Sequence, residues 1–169
     1  KVDKEEQLNS IKFDTLVVEK MPGQLLLGVN VSTSNKKDLL FKNVVMNHNK
    51  VFNYVTGDLS KGEDEIGHPI LITEANNYKD KEVSYYIGIP LSKRVSVSDN
   101  NFSFRTINEA QAYSIYYKGS YAGRTQKIQE LLNKAKKDSL RNGQLMQTFI
   151  KKPDEDHDVI IKFSLPVFK

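Results

Sequence analysis

Alternation of apolar and polar residues predicts several β-strands in this chain. In the stretch QLLLGVNV (residues 24–31) every second residue from Leu25 is apolar, so one face of the strand is expected to be buried. Short apolar runs bounded by Pro, Gly and Asn turns predict further strands at residues 16–18, 69–73, 83–91, 110–118, 145–150 and 159–166.

Two segments have the apolar spacing of an amphipathic helix. The first covers about residues 38–55, begins after a cap from Ser34-Asn35 and ends at Gly57; its apolar stripe consists of Leu40, Val44, Val51 and Val55. The second precedes Gly143, a good helix stop, and its stripe consists of Ile128, Leu131, Leu132 and Ala135. Each predicted helix follows one strand and precedes two others.

The repeated order of strand, helix, strand and strand indicates an internal duplication. Gln24 matches Gln111, an offset of 111 − 24 = 87, and Pro90 matches Pro166, an offset of 166 − 90 = 76. The second copy is therefore shorter by 87 − 76 = 11 residues, which the polar loop at 57–67 absorbs. We predict an α+β fold in which two β-α-β-β units form a pseudo-two-fold antiparallel sheet, with helices on one face and a groove between the repeats.

The last strand of each repeat predicts which face of the sheet the helices cover. One face is almost wholly apolar and carries Val83, Tyr85, Ile87, Ile89, Val159, Ile161, Phe163 and Leu165. The other face is mixed, with small residues at two matching positions, and carries Ser84, Tyr86, Gly88, Ile160, Lys162 and Ser164. Because small residues leave room for a ligand or for another backbone, we expect the groove on this second face.

Composition and charge narrow the classes of function. The chain has 169 residues, of which 38% are hydrophobic and 27% charged, as expected for one ordinary globular domain. The net charge of +4 comes from scattered basic residues rather than from the concentrated stripe that nucleic acid requires, so we expect no direct nucleic-acid partner. No apolar run approaches the roughly 20 residues that span a bilayer, so we expect no membrane contact by this domain.

The residues at the chain start predict a boundary. We expect a polar N-terminal linker at residues 1–15 and the domain at 16–169, with repeat one at about 16–92 and repeat two at about 102–169. The sequence begins at Lys1 rather than Met, so an upstream domain, anchor or signal is expected to be missing. A cytoplasmic location is expected, with an anchor or signal removed before Lys1 as the alternative.

The sequence offers no candidate for metal or cofactor chemistry. It lacks cysteine, which excludes disulfides, thiolate nucleophiles and cysteine-ligated zinc. The acidic run at 154–158 lacks the alternating ligands and glycine of a calcium loop, so a solvated turn is expected there. Neither a serine-histidine-acid grouping nor a phosphate-binding glycine loop is present in the spacing. We therefore predict no catalytic residue, no metal site and no cofactor.

Three segments together resemble a known family. YYIGIP (85–90) is similar to its first-repeat ending, YKGSY (117–121) to its aromatic-x-Gly-Pro-Tyr turn, and FIKKP (149–153) with FSLP (163–166) to its closing elements. In this order they resemble the GyrI-like family, the small-molecule effector-binding domains found alone and fused to AraC- and MerR-type transcription regulators. The resemblance covers nearly all of the chain from Leu16 onward.

The resemblance implies a two-fold sheet with helices on one side and a cleft between the repeats that binds flat, aromatic and often cationic ligands. It also implies an acidic residue in the last strand, but alignment on Pro166 places Lys162 there. Gln147 stands in place of a second acid and Phe149 in place of the closing tyrosine. Because a buried ammonium repels a cation, we expect a neutral or anionic ligand, and we expect the hydrolase activity of some relatives to be lost.

The predicted function is small-molecule binding or sensing in an aromatic-lined cleft, with a small aromatic or amphipathic molecule as partner. The predicted ligand-binding residues are Tyr86, Tyr113, Tyr117, Tyr121, Gln147, Phe149 and Lys162, of which Tyr86, Tyr113, Tyr117 and Lys162 are expected to project from the groove side of their strands. One alternative is a small hydrolase in the same cleft, which would need Glu74 or Glu82. Another is an interaction domain whose groove the tyrosines fill, with Tyr121 anchoring the helix.

Overall fold

A curled antiparallel sheet forms the centre of the computed structural model, which describes residues 8–169 except for the side chains of Lys37 and Asp38. Residues 1–7 of the predicted linker lie outside the described residues. The strands are β1 (Val17–Met21), β2 (Gln24–Ser34), β3 (Ile70–Thr73), β4 (Glu82–Leu91), β5 (Ser103–Ile107), β6 (Ala110–Gly119), β7 (Arg141–Asn142), β8 (Leu145–Phe149) and β9 (Val159–Phe168). The helices are α1 (Lys37–Asn53) and α2 (Arg124–Lys137).

The order of the strands has the predicted two-fold character. Along the sheet the order is β1-β6-β9-β8-β3-β4-β2-β5, with β7 paired to β9, so that the two repeats meet at β3 and β8. The first strand of each repeat pairs with the other repeat, since β1 lies beside β6 and β5 lies beside β2. The α+β architecture with a duplicated unit and helices on one face is therefore confirmed.

The alignment of the two repeats is shifted by one residue at their first strands. In β2, Leu26 is opposite Pro90, and in β6, Ala112 is opposite Pro166. Leu26 is thus equivalent to Ala112, an offset of 112 − 26 = 86 rather than the 87 predicted from the glutamine match. Because side chains alternate between the faces of a strand, a slip of one residue moves every side chain of β6 to the other face.

The ends of both helices differ from the prediction, and α1 differs at its start and at its finish. Lys36 is the N-cap residue of α1, while the side-chain amide of Asn35 instead donates to the carbonyl oxygens of Tyr78 (3.0 Å) and Asp80 (2.7 Å). The chain continues past α1 through a π-helical turn at Tyr54–Asp58.

The predicted stop of α2 at Gly143 is wrong. The helix ends at Lys137, where Ser139 takes a left-handed conformation (φ 59°) and the amide of Leu140 donates to the carbonyl of Ala135 at 2.9 Å. This is a Schellman ending made by a serine, so it lacks the glycine signal that the prediction relied on.

Each face of the sheet carries its own apolar cluster. The helix face of the sheet packs against α1 and α2 and contains the eight predicted apolar residues of β4 and β9, which confirms that prediction. A smaller cluster on the opposite face contains Met21, Leu26, Ile70, Ile72, Tyr86, Ile107, Ala112 and Met146. Within residues 8–169, neither helix is long and apolar enough to cross a membrane.

Part of the predicted linker contacts the domain. The backbone amide of Asp14 donates to the carbonyl of Tyr116 at 2.8 Å, and Phe13 forms a bridge with the same residue. The carboxylate of Asp14 also lies 3.1 Å from the ammonium of Lys127 on α2. These contacts tie the segment before β1 to the edge of repeat two.

Candidate ligand-binding cleft

A cleft lies on the helix face of the sheet, between the N-terminal ends of α1 and α2. We call it the interhelix cleft, and its outer chamber has a volume of about 320 Å³. The walls of this chamber combine aromatic, aliphatic and charged side chains: Asn35, Leu40, Phe41, Tyr78, Ser120, Tyr121, Ala122, Arg124, Thr125, Asp156 and His157. An aromatic-walled chamber of this size is typical of a small-molecule site.

A deeper inner chamber continues the cleft towards the sheet. Its free volume is about 20 Å³, so side chains fill most of it. It shares Leu40, Tyr78, Tyr121 and Arg124 with the outer chamber, and strands β3, β4 and β8 supply its floor, which includes Leu71, Thr73, Tyr85, Leu145 and Gln147. The cleft therefore widens from a closely packed floor to an open mouth.

Gln147 is the polar residue at the centre of this floor. In the register of β3 with β8 it lies directly opposite Leu71, and the offset 147 − 71 = 76 is the offset that relates the two final strands, so these two residues face each other across the pseudo-two-fold axis. The hydroxyl of Tyr121 donates to the Gln147 amide oxygen at 3.2 Å. Both side chains are buried, so this hydrogen bond lies at the base of the cleft.

Two buried tyrosine hydroxyls give the cleft hydrogen-bonding groups that stay neutral. Burial raises the pKa of Tyr121, and burial likewise raises the pKa of Tyr85 well above its usual range. The Tyr85 hydroxyl donates to the amide oxygen of Asn43 on α1 at 2.5 Å and accepts from the Asn47 side chain at 3.3 Å. These bonds hold Tyr85 against α1, whereas Tyr121 points to Gln147.

A cation of the protein already occupies one aromatic face in the cleft. The guanidinium of Arg124 stacks over the Tyr121 ring at 4.0 Å and donates to the Tyr121 carbonyl at 2.8 Å. The centre of the Tyr121 ring also lies 4.9 Å from the centre of the Phe41 ring, and the two rings are tilted by 51°. Tyr78 spans the two repeats, because its hydroxyl donates to the Gln129 side chain on α2 at 2.6 Å. Asp156 adds an exposed carboxylate at the outer chamber, and Glu74 adds one beside the inner chamber.

Of the predicted site residues, Tyr121 and Gln147 meet in this cleft. Tyr113 and Tyr117 point to the helix face, contrary to the prediction, because of the one-residue slip in β6. The Tyr113 hydroxyl donates to Asp138 and the Tyr117 hydroxyl to the carbonyl of Ser120, so both tyrosines anchor the chain around α2. Phe149 is fully buried in the helix-face core.

On the face away from the helices, Tyr86 fills part of the space where the groove was predicted. Tyr86 projects there as expected, but its ring fills the space above Gly88, where an added Cβ would lie 2.7 Å from the ring, and its hydroxyl donates to the carbonyl of Ser103 at 2.8 Å. Burial raises the pKa of Tyr86. An open depression of about 250 Å³ remains on this face beside Arg105 and Gln144.

Lys162 also projects from this face, away from the interhelix cleft. Its ammonium lies 2.6 Å from the carboxylate of Glu19 on β1. The alignment of the two repeats did not predict this contact. Lys162, which stands where the resemblance implies an acid, is therefore neutralised by Glu19 on β1. The expectation that Lys162 sets the charge of the cleft is wrong, because this side chain does not line it.

The sequence prediction missed most of the cleft. In repeat one, the first turns of α1 contribute Leu40 and Phe41, and the short turn before β4 contributes Tyr78. Arg124 is the first residue of α2, and Tyr85 lies on the face of β4 that is predicted to pack against the helices. The cleft lies on the face that the helices pack against, above strands β3, β4 and β8. A pair of aromatic residues at the starts of the two helices, Phe41 and Tyr121, was the signal in the sequence that could have located it.

The acidic run at 154–158 gives no sign of a metal centre. Within residues 8–169 there is no group of three or more histidine, aspartate or glutamate side chains placed to hold a metal ion. Asp158 pairs with Lys151 at 2.6 Å, and this bond and charge keep the pKa of its carboxyl below the usual range. The run behaves as a charged turn before β9.

Comparison with known proteins supports the fold. No protein-family model matches the sequence, and no curated protein matches it either. Among solved structures, the C-terminal domain of EcmrR has a TM-score of 0.71 at 10% identity and covers 92% of this chain and 98% of that one. A hydrolase encoded by lin2189 from Listeria innocua has a TM-score of 0.62 at 12% identity, with 98% and 97% covered.

A third similar structure was solved with a ligand. SAV2435 bound to tetraphenylphosphonium has a TM-score of 0.58 at 14% identity and covers 91% of this chain and 94% of that one. At sequence identities of 10–14%, these similarities show a shared fold and nothing about function. The architecture of this chain agrees with the fold that its resemblance to GyrI-like domains implies.

Proposed function

We propose that this domain binds a small organic molecule in the interhelix cleft. The observation that carries the proposal is the outer chamber of about 320 Å³ above the buried Tyr121–Gln147 hydrogen bond. Concave sites with apolar and aromatic walls and few polar groups are the usual binding sites of small molecules. The similarly folded SAV2435, which was solved bound to tetraphenylphosphonium, and the regulator-like resemblance of the sequence support a sensing role.

The proposed ligand is a flat aromatic compound that is neutral or anionic. A cation would meet the neutral amide of Gln147 at the centre of the cleft floor, and the carboxylates of Glu74 and Asp156 near the cleft are exposed to solvent. It would also compete with Arg124 for the face of Tyr121, where the guanidinium already stacks. A carboxylate on the ligand, in contrast, would pair with Arg124, which offers planar hydrogen-bond donors.

A thermal-shift titration with three matched naphthalene compounds tests the charge preference. We expect naphthoate and naphthalenemethanol to raise the melting temperature and naphthylmethyl-trimethylammonium to leave it unchanged, since only bound ligands stabilise the fold. Stabilisation mainly by the cation would overturn the charge assignment. Absence of stabilisation by all three compounds, together with unchanged NMR signals of the cleft residues, would favour the filled-groove alternative.

Two substitutions locate the site. Tyr121→Ala should remove binding of the neutral and anionic compounds, because it deletes the central aromatic wall. Gln147→Glu should reverse the preference by at least about tenfold in favour of the cation, because it places a carboxylate at the base. Lys136→Gln, an exposed change near the end of α2, is the control and should leave all three affinities unchanged.

A hydrolase is the second candidate, and Glu74 is the observation that favours it. Glu74 is one of the residues around the inner chamber, as are Tyr85 and Tyr121, and its carboxylate accepts a hydrogen bond from Gln144 at 3.1 Å. Glu82, the other candidate acid, is exposed at the start of β4 and does not line the cleft. Turnover of aryl esters by the wild type that Glu74→Gln abolishes would support this function, and equal rates in both proteins would reject it.

A further inference from the structure

A second pocket, distinct from the interhelix cleft, lies at the C-terminal half of α1. It has a volume of about 130 Å³. Its walls are mainly apolar and come from α1, from the segment before β3, from β4 and from the chain after β8: Phe52, Ile66, Pro69, Ile89 and Ile150. We call it the His48 pocket, because His48 is its buried polar residue.

His48 has one ring nitrogen that the protein leaves unsatisfied. The side chain is only 1% exposed, and within residues 8–169 its Nε2 is the buried side-chain polar atom without a hydrogen-bond partner. Such an atom costs about 1–3 kcal/mol when it is removed from water without a partner. Natural proteins retain few atoms of this kind, so this one needs an explanation.

The other ring nitrogen indicates which tautomer is present. Nδ1 lies 3.2 Å from the side-chain oxygen of Asn49, which can only accept a hydrogen bond, so Nδ1 carries the proton. In a neutral imidazole the second nitrogen is then an acceptor. Nε2 of His48 is therefore a buried acceptor in the wall of the pocket and requires a donor.

The surroundings keep the ring neutral. Burial lowers the pKa of His48, and the nearby ammonium of Lys152 lowers it further, while the bond to Asn49 acts in the other direction. Lys152 stands over the Phe52 ring at 3.7 Å and pairs with Glu63 at 3.4 Å. Lys152 and Glu63 are exposed, so the pocket opens beside them, and His68 is the remaining titratable residue in its wall.

We infer that the His48 pocket binds a neutral single-ring compound that carries a hydroxyl group, with the hydroxyl donating to Nε2 of His48. An apolar cavity of about 150 Å³ is sufficient for a benzene ring, and this pocket is of similar size and open on one side. The apolar walls take up the ring, and the hydroxyl satisfies the buried nitrogen. The ligand class differs from that of the interhelix cleft, which is wider and charged.

Phenol and anisole are the matched probes, because anisole has the same ring and oxygen but no hydroxyl proton. We expect phenol to shift the His48 Nε2 signal in a long-range proton–nitrogen NMR spectrum of the intact chain. Anisole should bind about tenfold more weakly, which corresponds to the loss of one hydrogen bond. His48→Leu should weaken phenol binding to the level of anisole, and Met46→Leu, an exposed change on the same helix, should not.

Ile66→Phe provides a second variant in case His48→Leu does not fold. It keeps the imidazole but fills the pocket from the half-buried segment before β3, so phenol binding should be lost. Equal affinities for phenol and anisole would overturn the inference. So would an unchanged His48 signal up to the solubility limit of phenol, since ordered water alone would then satisfy Nε2. Because the readout is the His48 signal, it is independent of ligand binding in the interhelix cleft.

Discussion

At the scale of single residues, Lys162 and Glu19 join β9 to β1 on the face away from the helices. Their side chains are 22% and 30% exposed, and the Ser114 hydroxyl also donates to Glu19 at 3.3 Å. A pair in this partly buried position matters mainly because either partner would be left with an uncompensated charge if the other were removed.

Lys162→Met should therefore lower the free energy of unfolding by about 1–3 kcal/mol. The double variant Lys162→Met with Glu19→Leu should recover most of this loss, because no charge remains unpaired. Urea unfolding of the two single variants and the double variant measures the coupling. Additive losses would contradict the pair's role, and an altered affinity of the interhelix cleft for naphthoate would contradict its separation from Lys162.

His48 predicts a pH dependence of stability on the acid side. Its folded pKa lies below the unfolded value of 6.5, so the unfolded chain binds more protons as the pH falls below about 6.5. The folded state is therefore progressively disfavoured by this residue in that range, with a slope of at most about 1.4 kcal/mol per pH unit. Urea unfolding between about pH 5 and 7 should show a smaller loss for His48→Leu than for the wild type. Parallel curves would refute this origin.

At the scale of elements, the close pairing of β2 with β4 depends on two glycines that face each other. A Cβ at Gly28 would lie 2.0 Å from the carbonyl oxygen of Ile87, and a Cβ at Gly88 would lie 2.7 Å from the buried ring of Tyr86. The first contact is with backbone, which cannot move without breaking the strand pairing, whereas the second is with a side chain.

We expect Gly28→Ala to destabilise the protein by more than about 3 kcal/mol and Gly88→Ala by about 1–3 kcal/mol. Gly57→Ala is the control, because no atom lies within 4 Å of a Cβ there, and it should be neutral or stabilising by up to about 1 kcal/mol. Thermal unfolding of the three variants ranks them. A stable Gly28→Ala protein would show that the strands can separate at this point.

Strands with strong alternation were predictable, whereas their relative register was not. The match of Gln24 to Gln111 rested on one residue type, and the true offset differs by one because Pro90 and Pro166 lie opposite Leu26 and Ala112. The alternation of apolar and polar residues in a strand shows which side chains share a face. The register with the neighbouring strand determines which face of the sheet that is. The polar edge strand β5 has mostly exposed or half-buried residues and gave no such pattern.

Site residues were predictable only where the family resemblance marks their positions in the sequence. Gln147 and Tyr121 followed from the family resemblance, and they meet in the cleft. Arg124 and Tyr78 lie in a helix start and a short turn, and their contacts cross between repeats that are distant in the chain. The partner of Lys162 is 143 residues away, so its identity depends on the exchange of β1 between the repeats.

At the scale of the whole molecule, the two repeats share one sheet through three interfaces. β3 pairs with β8 at the centre, and the exchanged strands β1 and β5 cover the outer edges of the opposite repeats. Each repeat alone would expose an uncovered strand edge and half of the cleft. We infer that cooperativity resides in the pair of repeats.

A chain cut in the connection between β4 and β5 should consequently remain assembled. Fragments 1–98 and 99–169 should be unfolded separately and should form a one-to-one complex with the native circular-dichroism spectrum when they are mixed. Size-exclusion chromatography and circular dichroism measure this. A cut after residue 60, inside repeat one, is the control, and its two fragments should form less complex than fragments 1–98 and 99–169. Independent folding of either fragment of the first pair would contradict shared cooperativity.

The pair of Leu71 and Gln147 on the pseudo-two-fold axis has a consequence for any guest of the interhelix cleft. A floor with identical halves would accept an asymmetric guest in two equally populated poses related by a half-turn. With an amide on one side of the axis and an isobutyl group on the other, those poses differ in energy. Divergence of a single position between the copies thus removes a degeneracy that duplication created, and a bound guest acquires one orientation.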